Sequence, residues 1–181
     1  ALLDTDKSRN LSEKNLVADI NEYVEKDDSF EKDDYLPVFY EHGEDENGKL
    51  FALPAYGTTQ VMYYNKAAFE KAGIDPATIK TWQDLAAAAE KMTASDGSFV
   101  GWEPMWGSGN LIDAALSNGA SLLSEDGKKV MINSDEWVEV WESFRTWIHD
   151  DKIMKVNSGG QGWEYWYTTI DDVLQNKAGG Y

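Results

Sequence analysis

Residues 62–92, MYYNKAAFEKAGIDPATIKTWQDLAAAAEKM, constrain the fold more than any other stretch of this chain. They spell out helix starts and stops in quick succession. A strand is expected over 61–64. Asn65 is a good N-cap, because its side-chain oxygen can accept from an orphan N–H of the first turn. The helix it opens is built on Phe69 and Ala72 and ends at Gly73, with Pro76 in the loop behind it. Thr81 opens a second helix, and Asp84 three residues on completes a capping box. Leu85, Ala88, Ala89 and Met92 share one face of that helix, so it packs through small residues against a close neighbour.

A strand that feeds two helices implies an α/β arrangement, and the rest of the chain agrees. At 181 residues it can bury one real core. No run approaches the ~18 apolar residues of a membrane span. Residues 1–10, ALLDTDKSRN, have neither a basic n-region nor an apolar h-region. The 33 acidic residues against 16 basic ones give a net charge of -17, which repels phosphate backbones and argues against nucleic acid or an anionic membrane as partner. Calcium would suit such acidity, but no stretch has the spacing of an EF-hand loop. With no cysteine, thiolate catalysis, disulfides and Cys-ligated zinc are excluded. His42 and His149 stand far apart and form no ligand pair.

Further along, a helix is expected over 11–26, with Leu16, Ile20, Tyr23 and Val24 on one face. Residues 27–34 form an acidic loop anchored by Phe30, and 35–40 are ambiguous between strand and helix. Asn47-Gly48 marks a hairpin turn before a short strand at 50–53. A strand at 99–102 leads into loop 103–110 and a helix at about 111–117. Residues 122–132 read as a hairpin. Ser134 is an N-cap candidate for the clearest helix, where Trp137, Val140, Trp141, Phe144 and Ile148 form a core-facing stripe, with Trp147 at its edge. Loop 157–162 precedes residues 163–167, WEYWY. Thr168 with Asp171 reads as another capping box, followed by an apolar face of Ile170, Val173 and Leu174. The expected fold is α/β, a small sheet covered by helices.

The order of these words resembles the extracellular sugar-type solute-binding proteins of ABC transporters, the maltose-binding-protein-like family. Residues 16–28, LVADINEYVEKDD, resemble the family's entry helix and acidic loop. GKLFALP at 48–54 is similar to its Gly-Lys-Leu-Tyr-Gly-Leu-Pro strand. MYYNKAAFEKAG at 62–73 is similar to Leu-Tyr-Tyr-Asn-Lys-x-x-Phe-Glu-Lys-Ala-Gly, and PATIKTWQDL at 76–85 to Pro-x-Thr-Trp-x-Glu-Leu. LQNKAGGY at 174–181 is a divergent copy of a late Phe-x-x-Gly-Lys-Ala-Ala-Met segment, departing from it at Gly179, Gly180 and Tyr181. The resemblance implies a periplasmic-binding-protein type II-like fold of two lobes with ligand between them. Residues 1–53 would be the terminal part of lobe 1, residues 54–56 the crossover and residues 57–181 lobe 2. The chain would then be a fragment covering mostly lobe 2.

The same resemblance implies capture of a sugar or oligosaccharide and its delivery to ABC permease subunits. No cofactor, metal or chemistry on the ligand is expected. The protein would be a monomer, extracellular or periplasmic, and at its full length either free or lipid-anchored to the cell membrane. Eight Trp and nine Tyr supply rings for the apolar faces of sugars. Trp137, Trp141, Trp147 and Trp82 are assigned to the core, and Tyr63, Tyr64 and Asn65 to structure. Trp106 sits in a Gly- and Ser-containing loop before a helix start, with Glu103, Ser108 and Asn110 as companions; a purely structural role would make Asn110 a plain N-cap. Trp163 and Trp166 leave a flexible loop, to line the cleft or pack over the lobe. Tyr56 and Thr58 fall at the crossover. The rival reading is a glycoside hydrolase or lyase module with paired carboxylates. Only Glu103 and Glu164, each close to a Trp, stand in a distinctive context for it. The residues also leave open the binding of a non-sugar solute and a purely adhesive domain.

Overall fold

Three of the longer helices, Thr5–Glu13, Lys66–Ala72 and Trp82–Met92, start at side-chain caps that the chain itself supplies. The computed structural model describes residues 2–105 and 107–181, with the backbone alone at Ser108. Eight α-helices are found among them: α1 Thr5–Glu13, α2 Asn21–Val24, α3 Pro37–Tyr40, α4 Lys66–Ala72, α5 Trp82–Met92, α6 Ser108–Ser117, α7 Asp135–Arg145 and α8 Glu164–Leu174. The side chain of Asn65 accepts from the Ala68 N–H at 3.1 Å and starts α4. Gly73 ends it at φ 67°, a left-handed conformation that a Cβ would strain. Thr81 and Asp84 form the reciprocal capping box of α5, at 3.1 and 3.0 Å.

The chain divides into two compact units, Ala1–Gln60 and Val61–Tyr181. The first is small. Its core is Tyr40, Leu50 and Phe51, with the Arg9 guanidinium over the Phe51 ring. The turn at 45–48 closes on a Glu44–Leu50 antiparallel bridge, with Gly48 at φ 78°. The helix expected over 11–26 is not present. Asp4 caps α1 upstream, and Asn15 takes a left-handed φ of 54° that breaks the helical path. Leu16 and Tyr23, expected on a buried face, are exposed.

The second unit carries the main core. Phe69 of α4, Leu85, Ala86, Ala89 and Met92 of α5, Leu111, Ala114 and Ala115 of α6, and Trp137, Val140 and Phe144 of α7 form one cluster. Its partners from extended chain are Trp102, Ile153 and Met154. The small face of α5 has a specific use. A Cβ at Gly101 would collide with the Ala89 backbone, so helix and extended segment touch main chain to main chain. Trp141 departs from its expected place. It is 51% exposed, because the buried stripe of α7 runs Trp137, Val140, Phe144 and leaves the flank outward. Trp82 and Trp147 are half-buried and meet Phe144 edge-on.

The sheet is rudimentary. Among the described residues its pairings are isolated bridges: Tyr64–Gly180 antiparallel, Val100–Ala178 parallel and Trp102–Met154 parallel. They set four extended segments side by side in the order 61–65, 178–181, 100–103, 153–155. Tyr63 and Tyr181 exchange both backbone bonds at 2.9 Å, and their rings stack at 5.2 Å. The expected strand at 61–64 is therefore paired at its end, while Val61 and Met62 remain exposed.

Candidate functional site

Segments 100–103, 153–155 and 178–181 run parallel, so their carboxyl ends share one edge. In open α/β sheets, ligands bind outside the carboxyl ends of the strands. The chain leaves this edge at 103–105 and at 155–162, and the two stretches bring polar side chains to one point.

Glu103 is the centre. It is 1% exposed. Its Oε1 accepts from Lys155 Nζ at 3.1 Å, and its Oε2 from Asn157 Nδ2 at 2.8 Å. Lys155 also donates to Asp172 Oδ2 at 2.9 Å. Asn157 also donates to Thr169 Oγ1 at 3.1 Å, while the Thr169 hydroxyl donates its own proton to the Tyr165 carbonyl. Lys177 Nζ stands 3.8 Å from Asp172 Oδ1. Two carboxylates and two ammonium groups therefore form one cluster, with Glu103 and Asp172 buried and Lys155 half-exposed.

Burial pushes the Glu103 carboxyl up to about 7, even against the Lys155 ammonium, and the nearby Asp172 charge adds to the rise. Burial also acts against the charge of Asp172, but its bonds from Lys155 outweigh that and hold it below the usual range. Lys155 is raised in the same way: desolvation opposes its charge, and the bonds to Asp172 and Glu103 overcome it.

Local sequence explains the convergence. Lys155 and Asn157 are two apart on extended chain and so share a face. Thr169 and Asp172 are three apart on α8 and do the same. α8 turns this polar pair inward and is buried at Thr169 and Asp172. The apolar face expected at Ile170, Val173 and Leu174 is half-buried at the first two, and Leu174 is 77% exposed. The capping box read at Thr168 and Asp171 does not form, because Thr168 lies inside α8 and donates to the Glu164 carbonyl. The helix starts at Glu164 instead, with Trp163 as its N-cap residue.

The other candidates divide. Trp163 and Trp166 are exposed on the first turn of α8, ring centroids 6.0 Å apart and edge to face. Asn110 is half-buried at the third position of α6; Gly107 is the N-cap, so Asn110 is not a plain cap. Ser108 is the first residue of α6. Trp106 lies outside the described residues. Tyr56 and Thr58 are exposed on the irregular stretch that ends the first unit. Thus Glu103 and the second half of α8, at Thr169 and Asp172, meet through one polar cluster. Lys155, Asn157, Thr169 and Asp172 belong to it and escaped sequence reading, although their two- and three-residue spacings were there to find. Among the described residues no group of three or more His, Asp or Glu could hold a metal ion, and no helix is long and apolar enough to cross a membrane.

Known proteins place this architecture. The family model for bacterial extracellular solute-binding protein matches residues 1–181. The arabinooligosaccharide-binding protein of Bacillus subtilis (strain 168) is 27% identical over 151 residues, which cover 83% of this chain and 34% of that protein. The sn-glycerol-3-phosphate-binding periplasmic protein UgpB of Escherichia coli (strain K12) is 42% identical over 79 residues, 41% of this chain and 18% of that one. The ABC substrate-binding protein Lmo0181 from Listeria monocytogenes, solved with cycloalternan, superposes with a TM-score of 0.71 at 25% identity, over 96% of this chain and 44% of that chain. UgpB from Mycobacterium tuberculosis, solved with glycerophosphocholine, shares the fold at a TM-score of 0.72 and 14% identity, over 96% and 43%. The chain spans about a third of the first of these relatives and under half of the solved structures. Its fold is that of the type II periplasmic-binding proteins, and with a family match along its whole length it belongs to the bacterial extracellular solute-binding proteins.

Proposed function

We propose that this protein captures a neutral sugar or oligosaccharide and hands it unchanged to an ABC importer. The observation that carries the reading is the edge where three parallel segments end. Glu103 and Asn157 lie there, and α8 carries exposed Trp163 and Trp166 at its start. Rings pack the C–H faces of a sugar, and paired polar groups take its hydroxyls. The domain reading follows: residues 1–53 end one lobe, residues 54–56 cross over, and residues 57–181 form most of the second. Tyr56, Thr58, Trp106, Ser108 and Asn110 complete the proposed ligand surface. The protein acts as a monomer outside the cytoplasmic membrane, free or held by a lipid, and its partners are the permease subunits. Ligand favours the closed form only through contacts better made in that form.

A neutral ligand is favoured over a phosphate ester by charge. Lys155 and Lys177 both face buried carboxylates, and the chain as a whole carries a net charge of -17. The 42% identity to a glycerol-3-phosphate-binding protein supports the competing reading, so the test sets the two ligands side by side. Tryptophan fluorescence of the protein at its full genomic length should change saturably with arabino- or malto-oligosaccharides and leave them intact. Trp163→Ala should weaken that binding about tenfold, or ~1.4 kcal/mol, with the melting temperature unchanged. Tighter binding of sn-glycerol 3-phosphate overturns the neutral-ligand reading. Release of shortened sugars overturns capture without chemistry.

A further inference from the structure

We propose that Lys155 and Asp172 are positioning residues that set the direction and charge of the Glu103 carboxylate at the carboxyl edge of the sheet. The geometry carries this. Glu103 is buried, yet each of its oxygens has a donor, and both donors come from one short segment, at Lys155 and Asn157. That segment is itself gripped from the other side by α8, through Asp172 on Lys155 and Thr169 on Asn157. Lys155 therefore has two carboxylates to serve, 3.1 and 2.9 Å away. Asp172 has a second cation in Lys177 at 3.8 Å. Lys155, Asp172 and Lys177, with the neutral Asn157 and Thr169, are the polar surroundings of Glu103 from the 153–157 segment, α8 and the turn behind it.

The arrangement makes Asp172 and Lys155 act on Glu103 in opposite senses. Lys155 favours the ionised carboxylate. Asp172 opposes it twice, by its own charge and by drawing the ammonium away. A charge within contact distance moves a carboxyl by ~1–3 pH units, so each effect is large enough to read. The inference gains its functional meaning from the ligand site proposed above, but its test contains no ligand and so fails or succeeds independently.

The experiment follows the carboxyl carbon of Glu103 by NMR as a function of pH in the 181-residue chain, assigned by its loss in Glu103→Gln. In the wild-type chain the midpoint should lie near neutrality, as burial requires. Lys155→Met should raise it by about one pH unit or more, Lys155→Arg should restore it, and Asp172→Asn should lower it. A residue that only held the fold together would not produce shifts of opposite sign. If Lys155→Met fails to fold, Asp172→Asn, which keeps the shape of the side chain, decides alone. A midpoint that rises or stays in place in Asp172→Asn overturns the proposal, as does one indifferent to Lys155→Met in a folded chain.

Discussion

Glu103 makes the stability of this protein depend on pH in an unusual direction. Its carboxyl is raised from 4.5 to about 7 by burial, so between these values the folded chain holds a proton that the unfolded chain has lost. Stability must then fall as pH rises through that window, by ~3 kcal/mol from this group when complete. Asp172 has the opposite sign: its carboxyl is lowered in the fold, so its contribution is present above its unfolded value and is lost as pH falls below about 4. Urea unfolding at pH 5 and pH 8 should show the Glu103 contribution as a lower midpoint at pH 8. Glu103→Gln should remove most of that difference and be the more stable chain at pH 8. An equal pH response in the variant would assign the effect to other groups. Sequence reading singled out Glu103 for the tryptophans near it, Trp102 and Trp106, but the partners that decide its charge stand 52 to 69 positions away.

At the scale of the element, caps and turn glycines that act on their own neighbours were legible, and the close-packed glycines near residue 180 were not. The Thr81–Asp84 box is local chemistry and forms as written. Thr81→Ala should cost about 1 kcal/mol, seen as a lower urea midpoint at unchanged slope. The departure of Gly179 and Gly180 from the family's Ala-Ala-Met pattern has a structural use. A Cβ at Gly179 would strike the Gly101 carbonyl, and one at Gly180 the Trp102 ring, which is itself fully buried. Gly180→Ala should therefore destabilise by more than ~2 kcal/mol, whereas Gly109→Ala, with open space around it, should not; the two thermal melts are the comparison. The start of α8 lies several residues before the one its sequence suggests. Thr168 and Asp171 have the spacing of a cap, but Thr169 and Asp172 have a polar partner waiting across the sheet edge, and tertiary contact overrode the local signal.

At the scale of the whole molecule, the chain is two units of unequal weight. The large cluster that joins α4, α5, α6 and α7 lies wholly within Val61–Tyr181, while the first unit has three buried apolar residues among those described. Residues 53–62 carry no regular structure and are half-buried or exposed. Brief chymotrypsin treatment should therefore cut first near Tyr56, which is 76% exposed. The large fragment should keep the main melting transition. A first cut inside α5 or α7 would contradict this division.

The residues by themselves determined the helices that carry their own caps, the core stripe of α7 at Trp137, Val140 and Phe144, and the family to which their order belongs. These depend on neighbours within four positions, which sequence reading can weigh. Only the tertiary structure decided which face of α8 turns inward, which tryptophans stay in solvent, and why a central segment carries two adjacent glycines. Those outcomes depend on groups far apart in the chain: a buried carboxylate seeking donors, and a Trp102 ring that leaves no room for a Cβ. Burying a charge is costly unless partners reach it. The partners that reach Glu103 are set by how the segments meet, not by what stands beside it.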